Sequence, residues 1–142
     1  MVKHVRHVLA GLSLFAVVAC SEGTMEPETQ VSVGIIELGN SSLSIGVPDS
    51  VGVEEPFRVT VRTYVSSCGQ GESTQVAVNG LVALVVPLDR IEVGGLCANI
   101  ARAVEHAATV VFYKTGQATV IVQGYSANVD DLITVERTIT VQ

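Results

Sequence analysis

The chain contains no tryptophan, and only three histidines and three cysteines occur among its 142 residues. A zinc or copper site needs several imidazole or thiolate ligands, and no two cysteines have the C-x-x-C spacing. The G-x-S-x-G motif of hydrolase nucleophiles and the G-x-x-x-x-G-K motif of phosphate-binding loops are also absent. No apolar run reaches the roughly 20 residues of a transmembrane helix. These absences predict a protein without a metal, a cofactor or a catalytic centre.

The N-terminus has the parts of an export signal. A basic head with Lys3 and Arg6 precedes twelve residues, 8–19, that are apolar apart from one Gly and one Ser. This core is too short to cross about 30 Å of hydrocarbon, and its length is typical of a secretory signal. The junction VVAC, which ends at Cys20, resembles the lipobox of bacterial lipoproteins. The resemblance implies that residues 1–19 are removed as a signal peptide and that Cys20 becomes the lipidated first residue.

The segment after the cysteine, SEGTMEPETQ, has three glutamates and almost nothing to bury, so residues 20–30 are predicted to form a lipidated, solvated tether. Loss of residues 1–19 leaves 8 − 2 = 6 basic against 14 acidic residues, a formal charge near −8. Such a surface repels nucleic acid and anionic headgroups. We therefore expect the acyl chains alone to attach the protein to a membrane. Ser21 resembles the sorting position of lipoproteins sent to the outer membrane, which places the protein in the bacterial cell envelope, facing the periplasm or the surface.

Residues 31–142 are predicted to form a single β domain. In PFRVTVRTYV the apolar Phe57, Val59, Val61 and Val65 alternate with polar residues, the pattern of a half-buried strand. Asn79-Gly80 predicts a hairpin with a type I′ turn, and a second hairpin is expected around residues 114–117. The sequence from Asp131 onward predicts a long strand that is bulged or broken near Glu136. The segments VSVGIIEL and SSLSIGV predict an early pair of strands.

The segment LCANIARAVEHAA has two interpretations. Leu96, Ile100 and Val104 recur every four residues, which is compatible with a short helical crossover. The same segment is also compatible with an irregular connection to a strand that begins near Ala108. Elsewhere, seven to nine short strands separated by Gly, Asn, Asp and Pro predict an all-β, antiparallel sandwich.

The stretch VPDSVGVEEPFRVTVRTYV resembles the opening of bacterial immunoglobulin-like modules, in which a strand led by Pro and a turn with Gly precede an alternating strand. The resemblance implies an immunoglobulin-like architecture. The antibody type does not fit, because there is no Trp and because only 28 residues separate Cys68 from Cys97. With Cys20 lipidated, these two cysteines form an even pair in an exported chain and are expected to make a disulfide. A metal or redox pair is the alternative.

Few residues are candidates for a functional site. His106 is the only histidine after processing, and beside Glu105 it is interpreted as an ordinary surface or loop residue. Asp130 and Asp131 could attract calcium, but a solvated turn is the preferred interpretation. Among the aromatic residues, Tyr64 and Tyr113 are expected to point outward from adjacent or facing strands and to form a binding surface.

Three classes of function follow from these observations. The first is a non-catalytic interaction or structural module, presented at a membrane surface to an unidentified envelope protein or ligand. The second is a carrier of a small ligand or ion, and the third is an enzyme. An exposed apolar or tyrosine-lined patch would favour the first class, whereas a closed pocket with converging polar groups would favour the second.

Overall fold

A computed structural model describes residues 27–142 of the chain, so the predicted signal, Cys20 and most of the predicted tether lie outside the described residues. This part of the chain is all-β, with ten strands and no helix. None of its segments is a helix long and apolar enough to cross a membrane. The strands are β1 (Glu28–Val33), β2 (Ile35–Glu37), β3 (Ile45–Gly46), β4 (Ser50–Val51), β5 (Phe57–Val65), β6 (Gln70–Asn79), β7 (Val82–Val93), β8 (Arg102–Val110), β9 (Gly116–Ser126) and β10 (Asp131–Val141).

The ten strands belong to one curled sheet. Strand β7 pairs with β1, β6 and β9, and β9 also pairs with β10 along its full length and briefly with β2. Strand β5 pairs mainly with β8 and more briefly with β2 and β3, while β4 lies beside the end of β10. The pairings β7 with β9, β2 with β9, and β4 with β10 are parallel. The predicted antiparallel arrangement is therefore wrong for these three pairings. Side-chain alternation does not distinguish parallel from antiparallel strands.

The hydrophobic core follows the predicted alternation. In β5 the residues Phe57, Val59, Val61 and Val65 are buried, whereas Arg58 and Arg62 are exposed. Strands β2, β7, β8, β9 and β10 also contribute residues to this core. Phe112 stacks on Phe57 with ring centroids 5.7 Å apart. The further core members are Ile36, Ala83, Val85, Ala108, Val110, Ala118, Val120, Val122, Ile139 and Val141.

The first hairpin is confirmed, but its turn differs from the predicted type. Asn79 is the last residue of β6 and pairs with Val82, so the two turn residues are Gly80 and Leu81. Only Gly80 has a positive φ, at 60°. A glycine at the first central position with an ordinary second residue is the type II′ arrangement, whereas type I′ requires a positive φ at both positions.

The second predicted hairpin is wrong. Strand β8 pairs with β5, whereas β9 pairs with β10, β7 and β2, so the connection 111–115 links strands that are not hydrogen-bonded neighbours. Because β7 and β9 are parallel, the chain between them needs a crossover, and β8 is that crossover. Phe112 in this connection packs into the hydrophobic core, where its side chain is fully buried.

Three further segments are now assigned. Strand β10 pairs with β9 from Asp131 to Val141 without a change of register, so the expected bulge or break near Glu136 is wrong. Residues 94–101 are irregular, and β8 begins at Arg102, which supports the irregular connection over the helical one. The early segments contain β1, β2 and β3, but these strands pair with β5, β7 and β9 rather than with one another.

Candidate functional site

A cluster of three polar side chains occupies inward positions in the otherwise apolar core. Thr63 on β5, Asp89 on β7 and His106 on β8 each continue a series of buried residues along the strand. Asp89 is 1% exposed and His106 is 5% exposed. Strands β5 and β8 are paired with each other but not with β7, so the cluster joins two parts of the sheet that face each other across the core.

The hydrogen bonds of the cluster converge on one carboxylate oxygen. Nε2 of His106 lies 2.9 Å from Oδ1 of Asp89, and the hydroxyl of Thr63 donates to the same oxygen at 3.1 Å. A carboxylate only accepts hydrogen bonds, so we assign the proton of the imidazole to Nε2. Thr63 Oγ1 is also 3.1 Å from Nε2. In a catalytic triad of nucleophile, histidine and acid, the nucleophilic hydroxyl and the acid contact opposite nitrogens of the imidazole ring. Here the hydroxyl of Thr63 and the carboxylate of Asp89 both contact Nε2 of His106.

The second carboxylate oxygen, Oδ2 of Asp89, is buried without a hydrogen-bond partner among the described residues. Gly34, between β1 and β2, packs directly over it. A Cβ atom at position 34 would lie 2.8 Å from Oδ2 and 2.5 Å from Cγ2 of Thr63. The amide of Gly34 donates to Pro87, and its carbonyl accepts from Tyr125. A residue without a side chain is therefore required where the chain crosses the cluster.

The interpretation of His106 as a surface or loop residue is wrong, because it is a buried member of β8. Its charged neighbour in sequence, Glu105, is exposed and forms an ion pair with Arg58. The partner Asp89 was missed by the sequence analysis. The sequence does indicate its position, because Asp89 is an even number of residues from the core residues Ala83 and Val85 and so lies on the same face of β7.

An apolar groove lies next to the polar cluster. Tyr64, Tyr125, Ile35 and Ile91 line it together with Asp89, and its volume is about 330 Å³. A neighbouring depression of about 300 Å³ shares Tyr64, Ile35 and Ile91 with the groove. This depression continues toward the connection 94–101, where Ile100 forms part of its wall. The combined surface is open, and its lining is mainly apolar.

The two tyrosines predicted to form one binding surface lie far apart. Tyr64 is half-buried in the groove, whereas Tyr113 is 71% exposed in the connection after β8. In the pairing of β5 with β8, Phe57 faces Val110 at one end and Tyr64 faces Ala103 at the other. Seven residues of strand correspond to roughly 23 Å. The tyrosine that shares the groove with Tyr64 is Tyr125 instead.

The hydroxyl of Tyr125 donates a hydrogen bond to Asp130. This hydrogen bond, followed by desolvation and by the negative charges of Asp130 and Asp131, raises the pKa of Tyr125 above its ordinary value of 10.0. Asp130 has a positive φ of 56° in the turn between β9 and β10. Asp131 accepts from the amide of Leu132. Asp130 thus belongs to the turn, as the preferred interpretation predicted, whereas Asp131 is the first residue of β10.

The predicted disulfide is confirmed. Cys68 and Cys97 are bonded, with their Cα atoms 5.5 Å apart. Glu92 lies close enough to both sulfurs to resemble a set of metal ligands. Metal ligation by cysteine requires thiolates, and the disulfide has none. The bridge therefore has a structural role, joining the connection 94–101 to the loop that follows β5.

Comparisons with models of protein families, with curated proteins and with solved structures find no match to this chain. The function must therefore be argued from the site itself.

Proposed function

We propose that this chain is a non-catalytic lipoprotein of the bacterial cell envelope. In this proposal residues 1–19 are the signal peptide, Cys20 carries the lipid, and the β domain is an interaction or structural module at a membrane surface, with the outer membrane as the expected location. Its curled sheet is proposed to be an immunoglobulin-like sandwich. The contact of β5 and β8 with β7 across the polar cluster supports two facing layers.

The observation that carries the non-catalytic proposal is the arrangement of His106. After removal of residues 1–19 it is the only histidine, so it is the natural candidate for a general base near neutral pH. Its Nε2 atom is committed to Asp89 in the core, and Gly34 packs over the carboxylate. General acid–base chemistry requires hydrogen-bond reach to a substrate, and Nε2 is already engaged by Asp89. His106 contributes only its 5% exposed part to the adjacent surface depression of about 310 Å³.

The nature of the accessible surface supports an interaction module. The groove beside Tyr64 and Tyr125 is open and mainly apolar, and strongly exposed Leu96 and Ile100 lie on the adjacent connection. Exposed apolar patches of this kind are typical of surfaces that contact a partner.

Metabolic labelling with a palmitate analogue tests the proposal. We expect the wild-type protein to incorporate label and to fractionate with membranes, whereas Cys20→Ser should do neither. Ser21→Ala is the matched control, because it changes the adjacent residue and leaves the thiol intact. Uptake of label and membrane association by Cys20→Ser would contradict the proposal.

A carrier of a small apolar ligand is the second candidate. It is favoured by the volume of the groove, about 330 Å³, which lies at the lower end of the range for ligand pockets. Binding of a fluorescent apolar probe such as N-phenyl-1-naphthylamine can be compared between wild type and Tyr64→Ala. Saturable binding that is lost in this variant and retained in Tyr113→Ala would favour a carrier.

A further inference from the structure

The last residue of β7 and the connection from β7 to β8 carry a small surface of exposed apolar side chains. Leu96 is fully exposed, Ile100 is 68% exposed and Val93 is 45% exposed. We name these three residues the apolar tip. The disulfide of Cys97 with Cys68 ties the middle of this connection to the loop after β5. The apolar tip is therefore presented to solvent on a covalently restrained segment.

The apolar tip lies beside the point where the described chain begins. Glu28, the first residue of β1, pairs directly with Val93. Consecutive Cα atoms are about 3.8 Å apart, so Leu96 is at most about 11 Å from Val93. Seven residues, Ser21 to Pro27, separate Cys20 from Glu28. Even when fully extended, this segment spans only about 26–29 Å between the two Cα atoms.

We propose that the apolar tip contacts the lipid bilayer in which Cys20 is anchored. The proposal rests on the lipidation of Cys20 proposed above. A lipid on Cys20 confines Glu28 to the vicinity of the membrane, and the pairing with Val93 brings the apolar tip to the same region. Transfer of exposed leucine and isoleucine side chains from water to the interface between headgroups and acyl chains is favourable.

The charges around the apolar tip indicate which kind of lipid surface it would contact. Glu28 and Glu92 flank Val93 in the paired strands β1 and β7 and are both exposed. Carboxylates are repelled by anionic headgroups. The preferred surface is accordingly a zwitterionic one, and anionic lipid should weaken the contact.

The absence of tryptophan makes the proposal directly measurable. The full-length protein, lipidated in a bacterial host and purified from its membranes, is reconstituted into phosphatidylcholine vesicles as a Leu96→Trp variant. Lipids with brominated acyl chains quench only tryptophan that enters the bilayer. Tyr113→Trp is the matched control, because Tyr113 is exposed beyond the far end of β8, a strand about 26 Å long.

We expect Leu96→Trp to show a blue-shifted emission that brominated lipid largely quenches, and Tyr113→Trp to keep a water-like, unquenched emission. Ile100→Trp should behave as Leu96→Trp does. Flotation of the vesicles reports anchoring independently. Protein that floats with the vesicles but is unquenched at both tip positions would overturn the membrane contact alone. Protein that fails to float would overturn the proposed lipidation and the contact with it.

Discussion

Replacement of His106 by alanine should strongly destabilise the domain. Asp89 is 1% exposed, its Oδ2 atom has no partner among the described residues, and its Oδ1 atom would keep only the hydroxyl of Thr63. Loss of the donor to a buried carboxylate costs about 3 kcal/mol or more, because the acceptor is left desolvated without its partner. A domain of this size has a total stability of about 5–15 kcal/mol. His106→Ala is therefore expected to remove a large fraction of the free energy of unfolding.

Thermal and urea unfolding, followed by circular dichroism, measure this effect. For a domain of roughly this length 1 kcal/mol corresponds to about 4 °C, so Tm should fall by about 12 °C or more. The matched control is Arg58→Ala on the same pair of strands. Its ion pair with Glu105 has N and O atoms 3.5 Å apart and side chains that are 66% and 62% exposed, so its loss should cost less than about 1 kcal/mol.

A double replacement separates the loss of the pair from the loss of packing. Asp89→Leu keeps the branching of the side chain, and together with His106→Leu it removes both polar partners of the hydrogen bond. Replacement of both partners of a buried hydrogen bond by apolar groups of similar shape can be nearly neutral, so the double variant should be more stable than His106→Ala. If His106→Ala lowers Tm no more than Arg58→Ala does, the structural role assigned to the cluster is refuted.

Three further outcomes are expected. Reduction of the disulfide, whose cysteines are 29 residues apart, should lower the free energy of unfolding by about 3–4 kcal/mol in urea titrations on the chain-entropy model; equal stability with and without reductant would contradict this. Gly34→Ala should lower Tm because the new Cβ would lie 2.5 Å from Cγ2 of Thr63, and Thr63→Ser should partly restore it; an unchanged Tm in Gly34→Ala would rule out the close approach. Tyr125 should ionise above pH 10.0 in an ultraviolet titration, and Asp130→Asn should lower its pKa. Because the folded state binds this proton more tightly than the unfolded state, the contribution of Tyr125 to the free energy of unfolding should be fully present below pH 10.0. It should decrease as the pH rises through the pKa of the folded state. An ordinary pKa in the wild type would argue against the hydrogen bond.

Strands could be predicted where buried apolar residues alternate with exposed polar ones. The alternation in β5 correctly identified its four apolar core residues, and the expected pairing of Cys68 with Cys97 is confirmed. The pairing of the strands was harder to predict, because the same alternation of residues occurs in parallel and antiparallel pairs. The crossover through β8 therefore appeared in the sequence as a hairpin.

The polar cluster was harder to predict than the fold. A histidine next to a glutamate suggests an exposed position, whereas in β8 His106 lies on the inward face with Ala108 and Val110, and Glu105 faces outward. Its partner Asp89 is 17 residues away in sequence and belongs to a strand that does not pair with β8. A contact across the core depends on how the sheet curls, which no local pattern specifies.

Mass spectrometry of the N-terminal peptide from membrane-extracted protein tests the central proposal most directly. The lipoprotein assignment predicts that the mature chain begins at Cys20 and that this peptide carries the added mass of a diacylglyceryl group, with or without a further acyl chain on its amino group. A mature chain that begins elsewhere, or that begins at Cys20 with a free thiol and no lipid, would contradict it.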